Sequence, residues 1–171
     1  MSKIKNTDSF RETIGLKAFF DENTRLPLGV LSDIVIDAKN LKIEGFIVQM
    51  SLFGNNSKVV KPSAISRWSG DLFVSESAIK PLDYYDSVKK ILIEQNSILR
   101  KKVLSESGEN IGKVYDFIFS TASFSCLSIV VRKNFFGLFF YGKERIISKK
   151  HILDINKDAI IVKDKILAKA V

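Results

Sequence analysis

Leu28-Gly29-Val30-Leu31-Ser32-Asp33-Ile34-Val35-Ile36 returns 83 residues later as Ile111-Gly112-Lys113-Val114-Tyr115-Asp116-Phe117-Ile118-Phe119. Only the glycine and the aspartate are identical, but the apolar positions agree. Reading onward without a gap, Ile43–Val48 falls on Cys126–Val131, and Leu52-Phe53-Gly54 falls on Phe135-Phe136-Gly137. With four extra residues in the second copy, Val59-Val60 meets Ile146-Ile147, Ile65 meets Ile152, and Asp71-Leu72-Phe73-Val74 meets Asp158-Ala159-Ile160-Ile161. A fixed period of this kind marks one structural unit written twice.

Each copy reads as short strands, because runs rich in Ile, Val and Phe are bounded by polar turn residues. Strands are expected near 16–20, 29–37, 43–50, 58–61 and 71–75, and again near 100–104, 112–120, 126–133, 144–148 and 158–163. Asp21–Arg25 and Ser105–Glu109 read as hairpin turns. Pro62–Ile65 and Lys149–Ile152 read as single helical turns before the last strand. Five or six short strands in about 60 residues are expected to close into a small barrel, since closure removes exposed edges. Between the copies, Tyr85, Val88, Leu92 and Leu99 share a helical face behind Asp83 as N-cap, which predicts a linker helix over 83–98. The expected organisation is an N-terminal extension (1–14), a first barrel (15–78), a linker with a short helix (79–98), a second barrel (99–164) and a C-terminal tail (165–171).

Composition bounds the function. Of 171 residues, 46% are hydrophobic, enough for a core. The start has no apolar signal segment and no run is long and apolar enough for a membrane helix, so a cytoplasmic location is expected, with a peripheral membrane position as its variant. One cysteine permits no internal disulfide. The net charge of +8 is uneven: residues 99–171 hold 14 basic and 7 acidic side chains. That excess points to an anionic partner for the second copy, or to a solubilising lysine surface.

The glycine–aspartate signatures resemble the PRC-barrel family, the module named for the photosynthetic reaction centre. Leu28-Gly29-Val30-Leu31-Ser32-Asp33 and Ile111-Gly112-Lys113-Val114-Tyr115-Asp116 stand where that family's small glycine-to-aspartate motif belongs. Val60-Lys61-Pro62-Ser63-Ala64-Ile65 and Ile147-Ser148-Lys149-Lys150-His151-Ile152 stand at its turn, the second without the proline. The resemblance implies a β-barrel that holds other macromolecules and performs no chemistry. Such modules form the C-terminal domain of a ribosome maturation factor, which docks on a small-subunit ribosomal protein, and the cytoplasmic part of the reaction-centre H subunit. The distinct N-terminal barrel of the first and the membrane helix of the second have no counterpart here. The chain is more similar to tandem PRC-barrel proteins.

Catalytic constellations are not expected. One histidine, His151, and one cysteine, Cys126, lie 25 positions apart, so neither a metal site nor a Cys-His pair is expected, and no cofactor. Phosphate-binding glycine loops are missing. Asp33 and Asp116 occupy equivalent positions in separate units; each is expected to accept a backbone N–H near its strand, with Gly29 and Gly112 marking a bend or bulge.

One segment stands apart. Arg132, Lys133, Phe135, Phe136, Leu138, Phe139, Phe140, Tyr141, Lys143 and Arg145 place six large apolar side chains in seven positions between four basic ones. The first-copy counterpart is mostly polar. These residues, with Lys149 and Lys150, are the expected partner surface, unless the aromatics fold back into the core. The expectation is a non-catalytic adaptor docking on a protein or a ribonucleoprotein. The alternative is peripheral association with an anionic membrane surface or membrane complex. A small-molecule-binding barrel is the third reading. RNA phosphates could be met by the lysines, although Lys outnumbers Arg 21 to 6 and base recognition prefers Arg. Oligomeric state is left open by the sequence.

Overall fold

The computed structural model describes residues 6–50, 57–75, 79–81, 98–133 and 144–164. The chain is mainly β. It runs β1 (Thr7–Ser9), α1 (Phe10–Thr13), β2 (Lys17–Phe20), β3 (Leu26–Asp37), β4 (Lys42–Gln49), β5 (Ser57–Val60), a 3-10 turn (Pro62–Ala64), β6 (Ile65–Trp68), β7 (Leu72–Val74) and β8 (Ile79–Pro81). It continues with β9 (Lys102–Ser105), β10 (Asn110–Ser120), β11 (Cys126–Arg132), β12 (Arg145–Ser148), a second 3-10 turn (Lys149–His151), β13 (Ile152–Ile155) and β14 (Ala159–Val162).

The strands form two sheets of one design. The first has the order β6-β7-β2-β3-β4-β5-β8 and the second β13-β14-β9-β10-β11-β12. In each, a late strand returns to lie parallel to the strand that opens the repeat: β7 beside β2, and β14 beside β9. The long central hairpin carries a ladder irregularity at matching places, between Leu31 and Asp33 and between Val114 and Asp116. The bend or bulge expected at each glycine has its own irregularity on the other side of the strand, between Pro27 and Gly29 and between Asn110 and Gly112, and the aspartate marks a second one. Asp33 accepts the N–H of Ile34 at 2.8 Å and Asp116 that of Phe117 at 2.7 Å, which satisfies a donor the bulge displaces.

Closed barrels were expected, but neither sheet closes. β6 and β5 stay apart in the first, as do β13 and β12 in the second, among the described residues. The reason lies in the connection. β5 passes into β6 through only Lys61 and the turn Pro62–Ala64, a corner too tight for the two strands to pair across it. A 3-10 bond from the Ala64 N–H to the Lys61 carbonyl (2.9 Å) occupies that corner in place of a ladder. The linker helix expected over 83–98 lies outside the described residues, except that 98–100 form a turn.

The sheets share a single core. Buried Leu31, Phe46, Val48 and Leu72 of the first are continuous with Val103, Phe117, Phe119 and Ile129 of the second. The turns after β3 and β10 also join. Ile43 N–H donates to Phe124 carbonyl and Cys126 N–H donates to Leu41 carbonyl, each at 2.9 Å. Ile43 is the repeat equivalent of Cys126, and Leu41 of Phe124, so equivalent residues exchange equivalent bonds. That reciprocity is the mark of a two-fold contact. Around it Phe46, Trp68, Phe119 and Phe124 pack edge to face and tilted, with centroids 5.3–5.9 Å apart.

The described part of the expected N-terminal extension, residues 6–14, straps the two sheets together. β1 pairs antiparallel with β10, with Asp8 opposite Phe119. Ser9 caps α1 by accepting the Glu12 N–H at 3.2 Å. Gly15 then donates to Leu31 carbonyl as the chain enters the first sheet.

Candidate functional site: a basic cleft between the sheets

Gly112 begins the site. A Cβ there would stand 2.3 Å from the Arg132 carbonyl oxygen, so only glycine lets β10 and β11 approach this closely. Beside this contact Lys113 lies directly opposite Arg132 across the ladder. Two cations facing each other on neighbouring strands repel unless something anionic answers them. Glu144 answers one: its carboxylate accepts from Arg132 Nε at 2.7 Å.

Two residues along β10, Tyr115 is held between arginines. The Arg11 guanidinium carbon lies 3.7 Å from the ring centroid and that of Arg132 lies 3.2 Å away. Two guanidinium groups so near cannot share one face, so the ring is sandwiched and each charge leans on a π-face. Arg11 is further fixed by its Nε donating to Tyr115 carbonyl at 3.2 Å and its backbone N–H donating to Asp116 at 3.3 Å.

These groups open onto a cleft of about 890 Å³ between the sheets. Among the described residues, Arg11, Arg100, Lys113 and Arg132 supply four cationic side chains to its lining, and Asp33 of the first sheet one carboxylate. Burial pushes the Asp33 carboxyl above its ordinary value, against the pull of the Ile34 N–H. Phe10, Ile14, Leu99 and Val114 add apolar walls.

Of the residues expected at a partner surface, Arg132 lines this cleft. Lys133 follows it at the end of β11. Arg145 begins β12 and Lys149 and Lys150 form the second 3-10 turn, none of them in the cleft lining. Phe135, Phe136, Leu138, Phe139, Phe140, Tyr141 and Lys143 lie outside the described residues. Gly29 repeats the close approach of Gly112, with a Cβ falling 2.3 Å from Gln49 carbonyl oxygen.

Arg11, Arg100 and Lys113 were missed from sequence. A signal existed: Lys113, Tyr115 and Arg132 replace Val30, Ser32 and Gln49 at the 83-residue offset. Arg100 replaces Gly15, since both donate to the equivalent Val114 and Leu31 carbonyls at 2.9 Å. The second copy is charged where the first is neutral.

Cys126 is buried on β11, and burial pushes its thiol up to about 12 despite nearby Lys149. Among the described residues no group of three or more His, Cys, Asp or Glu side chains could hold a metal. No helix there is long and apolar enough to cross a membrane.

No curated protein sequence matches the chain. Residues 90–168, which span β9 to β14 and with them the Lys113, Tyr115 and Arg132 wall of the cleft, match the family model of the PRC-barrel domain.

Proposed function

We propose that the chain is a non-catalytic docking module of two PRC-type barrels, and that its second unit holds an anionic macromolecular partner, a protein or a ribonucleoprotein. The match over 90–168 and the repeated strand order support reading both sheets as the same open-sided barrel. The observation that carries the binding reading is the convergence of Arg11, Arg100, Lys113 and Arg132 on one cleft, in whose lining Asp33 is the one carboxylate among the described residues. A scaffold tolerates such repulsion at little benefit to itself, whereas an anionic ligand turns each charge into an attraction. A carboxylate-bearing protein fits better than stacked RNA bases, because both faces of Tyr115 are already taken by guanidinium groups.

Charge reversal tests this. Arg100→Glu with Lys113→Glu should abolish capture of partners from a cell extract at low salt, while Lys58→Glu on the first sheet should not. Wild-type capture should weaken as salt rises. Undiminished capture by the cleft variant would overturn the reading, and binding to anionic vesicles alone would favour a membrane surface instead.

A further inference from the structure

The two copies differ at one edge. In the first sheet β8 runs antiparallel along β5, with Val59 opposite Lys80. Val59 is the repeat equivalent of Ile146: each lies opposite the matching residue of the preceding strand, Ile47 and Val130. Val59 is 0% exposed, yet Ile146 is 65% exposed. β12 ends its sheet, and among the described residues no strand runs along its outer side. Among the described residues the second copy thus presents an unpaired ladder edge with an apolar side chain on it, at the place where the first copy carries a seventh strand. Such edges are usually blunted or covered.

We propose that the outer edge of β12, Arg145–Ser148, is a strand-addition site for an extended, acidic segment of a partner protein. The first sheet shows that this fold accepts an antiparallel strand at that edge. Arg145, Lys149 and Lys150 flank the edge and select negative charge. Main-chain hydrogen bonds supply affinity and the Ile146 surface takes an apolar side chain. The proposal rests on the docking reading above and names a second contact for it, away from the cleft.

The probe is a synthetic peptide of residues 75–83, Ser-Glu-Ser-Ala-Ile-Lys-Pro-Leu-Asp, which contains β8 and carries net charge −1. Added to the intact protein, it should slow amide exchange over 145–148, and Ile146→Glu should weaken binding about tenfold or more. Two further peptides are N-methylated at Ile79 or at Lys80. Neighbouring amides of a strand point to opposite sides, so strand addition requires one methyl to abolish binding and the other to spare it. Equal loss from both, protection elsewhere, or no binding would overturn the proposal. So would amides over 145–148 already protected in the free protein, or a dimer that Ile146→Glu dissociates. If the peptide fails while cleft charge reversal still abolishes partner capture, the edge proposal falls and the docking reading stands.

Discussion

The indole N–H of Trp68 donates to the Asp8 carboxylate at 2.7 Å. Trp68 ends β6, the edge of the first sheet, and Asp8 lies on β1, the strand added to the second. The bond therefore reaches across the seam, beside the rings of Phe46, Phe119 and Phe124. Asp8→Leu would leave a half-buried donor unanswered and should cost about 1–3 kcal/mol, whereas Asp8→Asn keeps an acceptor and should cost less. Trp68 is the single tryptophan, so its fluorescence during urea unfolding reads the seam directly. If the two sheets unfold as one unit, both variants keep a single transition and only its midpoint moves.

Glycine at the repeat signature is a packing requirement. Gly29→Ala and Gly112→Ala each drive a Cβ to 2.3 Å from a carbonyl oxygen of the neighbouring strand, at φ of +155° and +145°. Each should cost about 3 kcal/mol, combining overpacking with backbone strain. Denaturant midpoints for the pair should fall by similar amounts, because the contacts are equivalent. A much smaller loss at one site would mean that its strand pair can separate.

The repeat was legible because an apolar run survives divergence where a strand is buried on both faces. Phe46–Val48 and their equivalents Ile129–Val131 are buried without a break, so each position rejects a polar residue. β6 and β13 were missed because Ser66-Arg67 and Asp154 break that pattern on strands with little buried surface. β1 and α1 were missed for a different reason. Thr7–Thr13 has no period of its own and is held by residues 115–120, more than a hundred positions away. The cleft has the same origin: Arg11, Asp33 and Arg132 mean nothing together until the two-fold seam makes them neighbours.

Cys126 should be inert in the folded protein. Its thiol is buried and pushed up to about 12, so it stays protonated at pH 8. Iodoacetamide should modify it at least ~100-fold more slowly in buffer than in denaturant, with the native rate set by opening of the fold. Mass spectrometry over time measures both rates. Rapid native labelling would show that β11 opens at Cys126 far more easily than its place in the core implies.

Asp33 gives the fold a pH dependence of definite sign. Burial raises its folded carboxyl above the unfolded value, chiefly by desolvation, with the Ile34 N–H pulling the other way. Between the two values the folded state holds more proton than the unfolded state, so this residue's contribution to stability falls as pH rises through that window. Above it the charged form bears the full cost of burial; below it both states are protonated and the cost is gone. Asp33→Asn keeps an oxygen to accept from Ile34 and removes the charge. The variant should therefore be more stable than the wild type at pH 7, and the difference should shrink toward acid pH. Thermal midpoints at pH 7 and near pH 4 decide it. An anionic partner in the cleft should enlarge the effect, since Asp33 puts a carboxylate among four cationic side chains there. In the variant such a partner should then bind more tightly, most clearly at low salt, where charges in the cleft are least screened.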